Sequence, residues 1–203
     1  MPQSLQLKIR SSILDRDRLL VIEPGFIEFD DSNLKHDQPT RFLGSEVAAW
    51  RYGVKWISGY RFYIGRIYCI DIMSSSSKII KLRWKSVYGI RKKELGQKYL
   101  AVANAIQDNF MRDVTKGLVD EFHAKGFVEI LGITINRDGI LLTESNFLSW
   151  FDTETKNYRT YFTIFSLEDP NNYKAFKYLE DWNTAVLYSL TRYILDEKKL
   201  LKK

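Results

Sequence analysis

Two triplets of cations carry the strongest chemical suggestion in this chain: Lys81, Arg83 and Lys85, then Arg91, Lys92 and Lys93. The first triplet alternates with Ile80, Leu82 and Trp84. A period of two sends successive side chains to opposite sides of a strand, so one face is apolar and the other basic. The second triplet stands where a helical pattern begins, near Lys93 or Glu94. Free N–H groups at a helix start attract anions, while cationic side chains there oppose the helix dipole at a cost of about 0.3–1 kcal/mol each. Together the six residues are the candidate anion-binding set. The plainer alternative is a solvated surface, with the helix starting at Glu94 and the basic run outside it.

Other reactive residue types are placed less suggestively. Metal sites need clustered His, Cys or carboxylates, and the two histidines, His36 and His123, are far apart in the chain. Cys69, the only cysteine, lies in the apolar run Ile67-Tyr68-Cys69-Ile70. There a thiol serves as a small buried hydrophobe, and no histidine base is near in sequence to activate it. Gly53, Gly59 and Gly65 have the spacing of neither a P-loop nor a dinucleotide fingerprint. The pairs Glu168-Asp169 and Asp120-Glu121 fall in a turn and on a helix face, as solvated charges do. Trp50, Trp56, Trp84, Trp150 and Trp182 suit a barrel core better than a platform for stacking bases. No catalytic residue, metal or cofactor is assigned, and a non-enzymatic protein is expected.

The charge is concentrated. Residues 41–98 hold 13 Lys and Arg against 3 acidic residues, whereas residues 117–203 hold 11 against 13. The excess lies on the strands of the first half, where it suits nucleic acid, a lipid headgroup or an acidic partner. A hydrophobic content of 45% supports real cores, and the apolar runs are far shorter than the roughly 20 residues that span a bilayer. The start, Met1-Pro2-Gln3-Ser4-Leu5-Gln6, lacks a signal peptide's basic and apolar regions. A cytoplasmic location is expected.

The elements that position these residues occur twice. Residues 27–110 are echoed in shorter form by residues 133–193. Each copy has an alternating strand (Ile27-Glu28-Phe29-Asp30-Asp31; Ile133-Thr134-Ile135-Asn136-Arg137), then a segment ending in tryptophan (Trp50; Trp150). Next comes a strand written Tyr-Arg-x-Tyr, at Tyr60-Arg61-Phe62-Tyr63 and Tyr158-Arg159-Thr160-Tyr161, and then one amphipathic helix. The repeat predicts two similar small domains with Trp50 and Trp150 buried in equivalent places. Residues 1–110 are the first domain, 111–126 a helical connector, and 127–203 the second domain. The stretch from Arg41 to Ser86 is proline-free and rich in aromatic and β-branched residues, which predicts successive antiparallel strands. Ser74-Ser75-Ser76-Ser77 reads as a hairpin connection, Asp138-Gly139 as a tight turn needing positive φ, and Gly126 as a helix stop. The final helix is expected to carry Trp182, Val186, Leu190 and Ile194 on one face.

Strands followed by one helix, with tryptophan in the third segment, resemble the pleckstrin-homology-like fold, most of all its small bacterial forms. Ile133-Thr134-Ile135-Asn136-Arg137-Asp138-Gly139-Ile140, Phe147-Leu148-Ser149-Trp150 and the helix near Trp182 carry the match. The resemblance implies an α+β fold of two open antiparallel β-barrels, each capped by a C-terminal helix, and it implies binding rather than catalysis. Related domains often hold inositol phosphates on a basic loop between their first two strands. The stretch read here as that loop, residues 28–37, has Asp30, Asp31 and Asp37 against Lys35 alone, and an acidic loop repels a polyphosphate. The leading expectation is a scaffold that binds a protein partner by β-augmentation or in a groove beside the last helix. The alternative is binding of an anionic ligand, nucleic acid or an acidic membrane surface, by the basic first domain.

Overall fold

The computed structural model describes residues 4–10, 16–31 and 38–200, and no side chain beyond Lys198. His36 and Lys35 lie outside the described residues. The chain divides into two compact units, Met1–Arg112 and Asp113–Lys203.

In the first unit, β1 (Leu5–Ile9), β2 (Arg18–Glu23), β3 (Phe26–Phe29) and β4 (Thr40–Leu43) form an antiparallel sheet in chain order. A second sheet, again in chain order, holds β5 (Val47–Ser58), β6 (Tyr63–Ser74) and β7 (Ile79–Val87), and α1 (Lys92–Ile106) follows. Helical structure continues as a π turn over Gln107–Met111 and as α2 (Arg112–Lys125). The second unit repeats the plan. A four-stranded sheet holds β8 (Phe127–Ile130), β9 (Ile133–Asn136), β10 (Gly139–Thr143) and β11 (Asn146–Ser149). A three-stranded sheet holds β12 (Thr153–Asn157), β13 (Tyr161–Ser166) and β14 (Tyr173–Lys177), and α3 (Thr184–Leu200) closes the unit. The class is α+β with antiparallel sheets. Among the described residues each sheet is open, and no strand pairing closes a barrel.

The repeat is therefore one of element order, and the residues that first suggested it fall out of step. Ile27 is on the third strand of its unit and Ile133 on the second of its own. Short alternating strands look alike, so a pattern match slips by a strand. For the same reason the stretch read as the loop between the first two strands is not one: Glu28 and Phe29 are on β3, Asp30 and Asp31 follow it, and residues 32–37 lie outside the described residues. Trp50 and Trp150 are both buried, at 3% and 5% exposure. Their places differ: Trp50 is inside β5 and Trp150 is in the turn after β11. The Tyr-Arg-x-Tyr segments are hairpin turns rather than strands. Gly59 N–H donates to Phe62 O at 2.7 Å, and Tyr158 N–H to Tyr161 O at 2.9 Å; only Tyr63 and Tyr161 enter the next strand.

Further boundaries move by a few residues. The expected connector at 111–126 is helical, and the unit division falls at its start. Gly126, at φ +81°, ends α2 as expected. Gly139 answers a different need from the one its Asp-Gly setting suggests. It is not among the positive-φ residues; instead, a Cβ there would sit 2.0 Å from Leu148 O. Trp182 precedes α3, whose buried stripe is Val186, Leu187, Leu190, Thr191, Ile194 and Leu195.

The core of the first unit takes one face of β6 and β7. Ile70, Ile72, Ile80, Leu82 and Trp84 are buried, and α1 contributes Leu95, Tyr99, Val102 and Ile106 at helical spacing. The Tyr99 ring meets Trp84 edge-on, at 6.3 Å between centroids. Each fully buried large apolar side chain contributes roughly 1.5–3 kcal/mol. This packing turns the opposite face of β7 away from the helix.

Candidate anion-binding surface

Strand register builds the surface. Across β5, β6 and β7 the face away from the core has three cross-strand rows: Arg51–Asp71–Lys81, Gly53–Cys69–Arg83 and Lys55–Ile67–Lys85. Lys81 and Lys85 are exposed, and the Arg83 side chain is 29% exposed. The alternation along β7 thus places Lys81, Arg83 and Lys85 on one face, joined by Arg51 and Lys55 from β5. Sequence patterning on β7 alone does not find these last two, because register with a distant strand puts them there.

The middle strand explains how so many cations coexist. Asp71, 2% exposed, is gripped from both sides. Arg51 Nε lies 3.0 Å from its Oδ2, and Arg83 Nη2 lies 2.5 Å from its Oδ1. Arg83 Nη1 also donates to Ile70 O at 3.1 Å and Leu82 O at 2.8 Å. Arg83 and Arg51 are thus partly neutralised, whereas Lys55, Lys81 and Lys85 extend the face as ammonium groups. Cys69 lies beneath them with no exposure, and burial pushes its thiol pKa up. That combination disfavours the thiolate a nucleophile needs.

The second triplet goes elsewhere. Arg91 has φ +55° and is the N-cap of α1, so Lys92 and Lys93 occupy the helix's first turn rather than a loop before it. Arg91 does not extend the β7 face: its guanidinium grips Glu94 at 2.8 and 2.7 Å, and it lies on the Trp84 side of the strand. Glu94, in the first turn, offsets the unfavourable charge there. Its carboxyl is pushed down to about 2 by hydrogen bonds from Arg91 and Lys98. Lys92 faces the end of the β5–β6 hairpin, and Lys93 is exposed.

That hairpin end is the feature the sequence reading passed over. Tyr60, Phe62, Tyr63, Tyr88 and Ile90 are 92%, 67%, 67%, 75% and 57% exposed. A cavity of about 260 Å³ is lined there by Trp56, Phe62, Tyr63, Tyr88, Arg66 and Lys92. The Arg66 guanidinium stands 4.5 Å from the Trp56 ring centroid, and Arg61 stands 5.3 Å from that of Tyr60, both in cation–π range. Five large apolar side chains gathered at one end are more than scattered surface hydrophobics, which need no explanation. Strand composition hides them, because Tyr60-Arg61-Phe62-Tyr63 has the residue types of a strand.

The matching sheet of the second unit carries different chemistry. On the face of β13 opposite Phe162 and Ile164 lie Tyr161, Thr163 and Phe165, with Tyr173, Ala175 and Lys177 of β14 beside them. Tyr158 and Tyr161 stack at 4.6 Å, and a groove of about 510 Å³ runs over this face. His123 on α2 packs edge-on against Tyr193, and its Nε2 lies 3.6 Å from a Glu197 oxygen. Among the described residues no three His, Cys, Asp or Glu side chains gather as a metal site would require. No described helix is long and apolar enough to cross a membrane. No family model, curated protein or solved structure matches the chain.

Proposed function

We propose that the chain is a non-enzymatic binding module of two pleckstrin-homology-like domains, and that the first docks on an acidic lipid surface. The order of elements supports the fold reading: four antiparallel strands, three more, then a helix, twice over. The observation that carries the function is the hairpin end. Exposed Tyr60, Phe62, Tyr63, Tyr88 and Ile90 stand beside Arg61, Arg66, Lys92 and Lys93.

The arrangement favours lipid over nucleic acid. A single strand binds best where rings lie within the basic groove itself. Here the three basic rows contain no aromatic residue, and the rings sit together at the sheet's end. A membrane interface accepts both parts. Tyrosine and phenylalanine enter the headgroup boundary, and lysines near an anionic leaflet gain about 1 kcal/mol each. Between Arg51 and Lys93 the only carboxylate is Asp71, which is buried and paired. Little on this part of the chain repels an acidic surface.

The test is co-sedimentation with phosphatidylcholine vesicles, with and without phosphatidylserine. Binding is expected only with phosphatidylserine, to weaken with salt, and to fall in a Tyr60→Ser/Phe62→Ser variant that stays folded. Absence of binding at low salt overturns the reading. Tight binding to a single-stranded oligonucleotide without vesicle binding transfers the surface to nucleic acid.

A second reading, docking of a protein partner, has its own support in the groove of the second unit. Its lining of Tyr158, Tyr161, Phe165 and Tyr173 has the aromatic character of protein interfaces. Loss of partner capture in Tyr158→Ala/Tyr173→Ala, with vesicle binding intact, separates it from the lipid reading.

A further inference from the structure

Strand register gives the aromatic groove of the second unit a definite shape. Glu154, Phe165 and Tyr173 form one cross-strand row, and Lys156, Thr163 and Ala175 form the next. Tyr161 pairs with Lys177, and Tyr158 meets Tyr161 across the turn between β12 and β13. The large rings thus stand in two clusters, Phe165 with Tyr173 and Tyr158 with Tyr161. The small Thr163 and Ala175 make a floor between them. Tyr161 and Phe165 are four residues apart on β13, roughly 13 Å at the rise of a strand. The result is a trough of about 510 Å³ walled by rings at both ends.

The chemistry of the lining selects what fits it. The hydroxyls of Tyr158, Tyr161 and Tyr173 have no hydrogen-bond partner among the described residues. Lys156 has no ion-pair partner among them either, and its Nζ stands 5.4 Å from the Tyr158 ring centroid. No carboxylate lines the trough. The nearest in register and sequence, Glu154 and Glu180, are engaged by Arg192 at 3.3 Å and by Lys177 at 2.7 Å. The walls therefore offer rings and donors, and little that accepts strongly. They suit a ligand with apolar bulk, free carbonyl oxygens and few N–H groups. A proline-rich segment in the polyproline II form has all three. Proline carries no N–H, and this extended helix leaves its carbonyls unspent. An α-helix uses its carbonyls internally. A polynucleotide would meet a single unpaired lysine here, within residues 117–203, where acids outnumber bases 13 to 11.

We propose that this trough docks a proline-rich segment of a partner protein in the polyproline II form, with an acidic residue beside the prolines to meet Lys156. The proposal rests on the second reading above, that the groove is a protein interface, and names the class of partner. Polyproline II rises about 3.1 Å per residue, so about five residues reach from one ring cluster to the other. Prolines pack against the rings at each end, and the tyrosine hydroxyls donate to the segment's carbonyls. The free segment already populates this form, which lowers the ordering cost of binding. The four prolines of this sequence, Pro2, Pro24, Pro39 and Pro170, stand singly, so the segment belongs to another chain.

The experiment titrates the full chain into fluorescein-labelled decaproline peptides that carry a pair of glutamates at one end or the other, and follows anisotropy. Saturable binding of at least one peptide is expected, with a loss of about tenfold or more in Tyr158→Ala/Tyr173→Ala. Both residues are exposed, and circular dichroism checks that the variant stays folded. Lys156→Gln is expected to weaken binding about threefold at low salt, and to leave a decaproline without glutamates unaffected. A control peptide with glycine and serine in place of the prolines is expected not to bind. Equal binding by the control overturns the proposal, as does unchanged affinity in the folded double variant. Absence of binding by both proline peptides at millimolar protein overturns it as well. The interface reading is judged apart: a partner captured by the parent and lost in Tyr158→Ala/Tyr173→Ala keeps that reading even when the proline peptides fail. A single-stranded oligonucleotide that binds where the peptides do not, and that the double variant releases, assigns the face to nucleic acid instead.

Discussion

Arg83 Nη2 of β7 lies 2.5 Å from Oδ1 of Asp71 on β6, and that carboxylate is 2% exposed. Arg83 thus belongs to the basic face by sequence and to a buried clamp by structure. Breaking a buried ion pair by deleting one partner strands the other charge, at about 3–5 kcal/mol. Asp71→Asn is therefore expected to destabilise the first unit by about that much, since it leaves Arg51 and Arg83 facing each other. Urea denaturation of the variant against the parent measures the loss; a shift near zero refutes the clamp.

The same contact decides how the basic face is to be probed. Replacing Lys81, Arg83 and Lys85 together mixes lost charge with lost stability. Lys81→Gln/Lys85→Gln is expected to leave the unfolding free energy from urea denaturation within about 0.5 kcal/mol of the parent. It should also flatten the salt dependence of binding to phosphatidylserine vesicles, because fewer cations meet the surface. An unchanged slope would leave these lysines as solvation alone.

Trp150 donates its Nε1–H to Asn136 O at 2.9 Å, tying the turn after β11 to the end of β9. Trp150→Ala is expected to cost about 3–5 kcal/mol, as for other buried aromatics. Trp150→Phe keeps most of the volume and loses about 1 kcal/mol with the hydrogen bond. Equal losses for the two substitutions would show that the bond, not packing, accounts for the residue.

Two glycines should respond in opposite directions to alanine. A Cβ at Gly139 would meet the Leu148 carbonyl at 2.0 Å, and backbone there cannot swing aside. Gly139→Ala is expected to cost about 1–3 kcal/mol or more through forced displacement. Gly117, within α2, has nothing within 4 Å of a new Cβ. Gly117→Ala is expected to stabilise by up to about 1 kcal/mol from helix propensity. Thermal unfolding of both variants checks the pair.

Asp152 gives the second unit an acid-sensitive contact. The Ser166 hydroxyl and then the Glu168 N–H, which donates to Asp152 Oδ1 at 2.9 Å, hold its pKa below the ordinary 3.8. A carboxyl lowered by folding stabilises the native state above the unfolded value and loses that contribution as pH falls through the folded one. Stability is therefore expected to decline with acid below about pH 4, and Asp152→Asn should make the decline shallower. Urea midpoints measured down the acid range test it; identical pH profiles would exclude the contact as a contributor.

Much of the first sheet's chemistry was legible because it is local. The alternation of Lys81, Arg83 and Lys85 with Leu82 and Trp84 needs only the two-residue period of a strand, and the structure shows those faces as expected. The stripe of Leu95, Tyr99, Val102 and Ile106 needs only the helical period. The hairpin end was not legible. Tyr60-Arg61-Phe62-Tyr63 has strand composition, and only the pairing of Ser58 with Tyr63 shows that the chain turns there and leaves its rings in water.

By itself the sequence determined the class of the protein: antiparallel strands followed by a helix, twice, with the basic excess in the first half. Side-chain period and charge are properties of neighbouring residues, and folding does not rearrange them. Tertiary structure alone decided which strands correspond, which cations share a face, and which cations are already spent. Arg51 and Arg83 meet Asp71 through strand register, and Arg91 and Lys98, which pair locally with Glu94, meet Lys8 and Trp84 through the seating of α1 beside β1 and β7. Those meetings join residues up to 90 positions apart. They depend on how elements pack, and no local pattern in the chain encodes them.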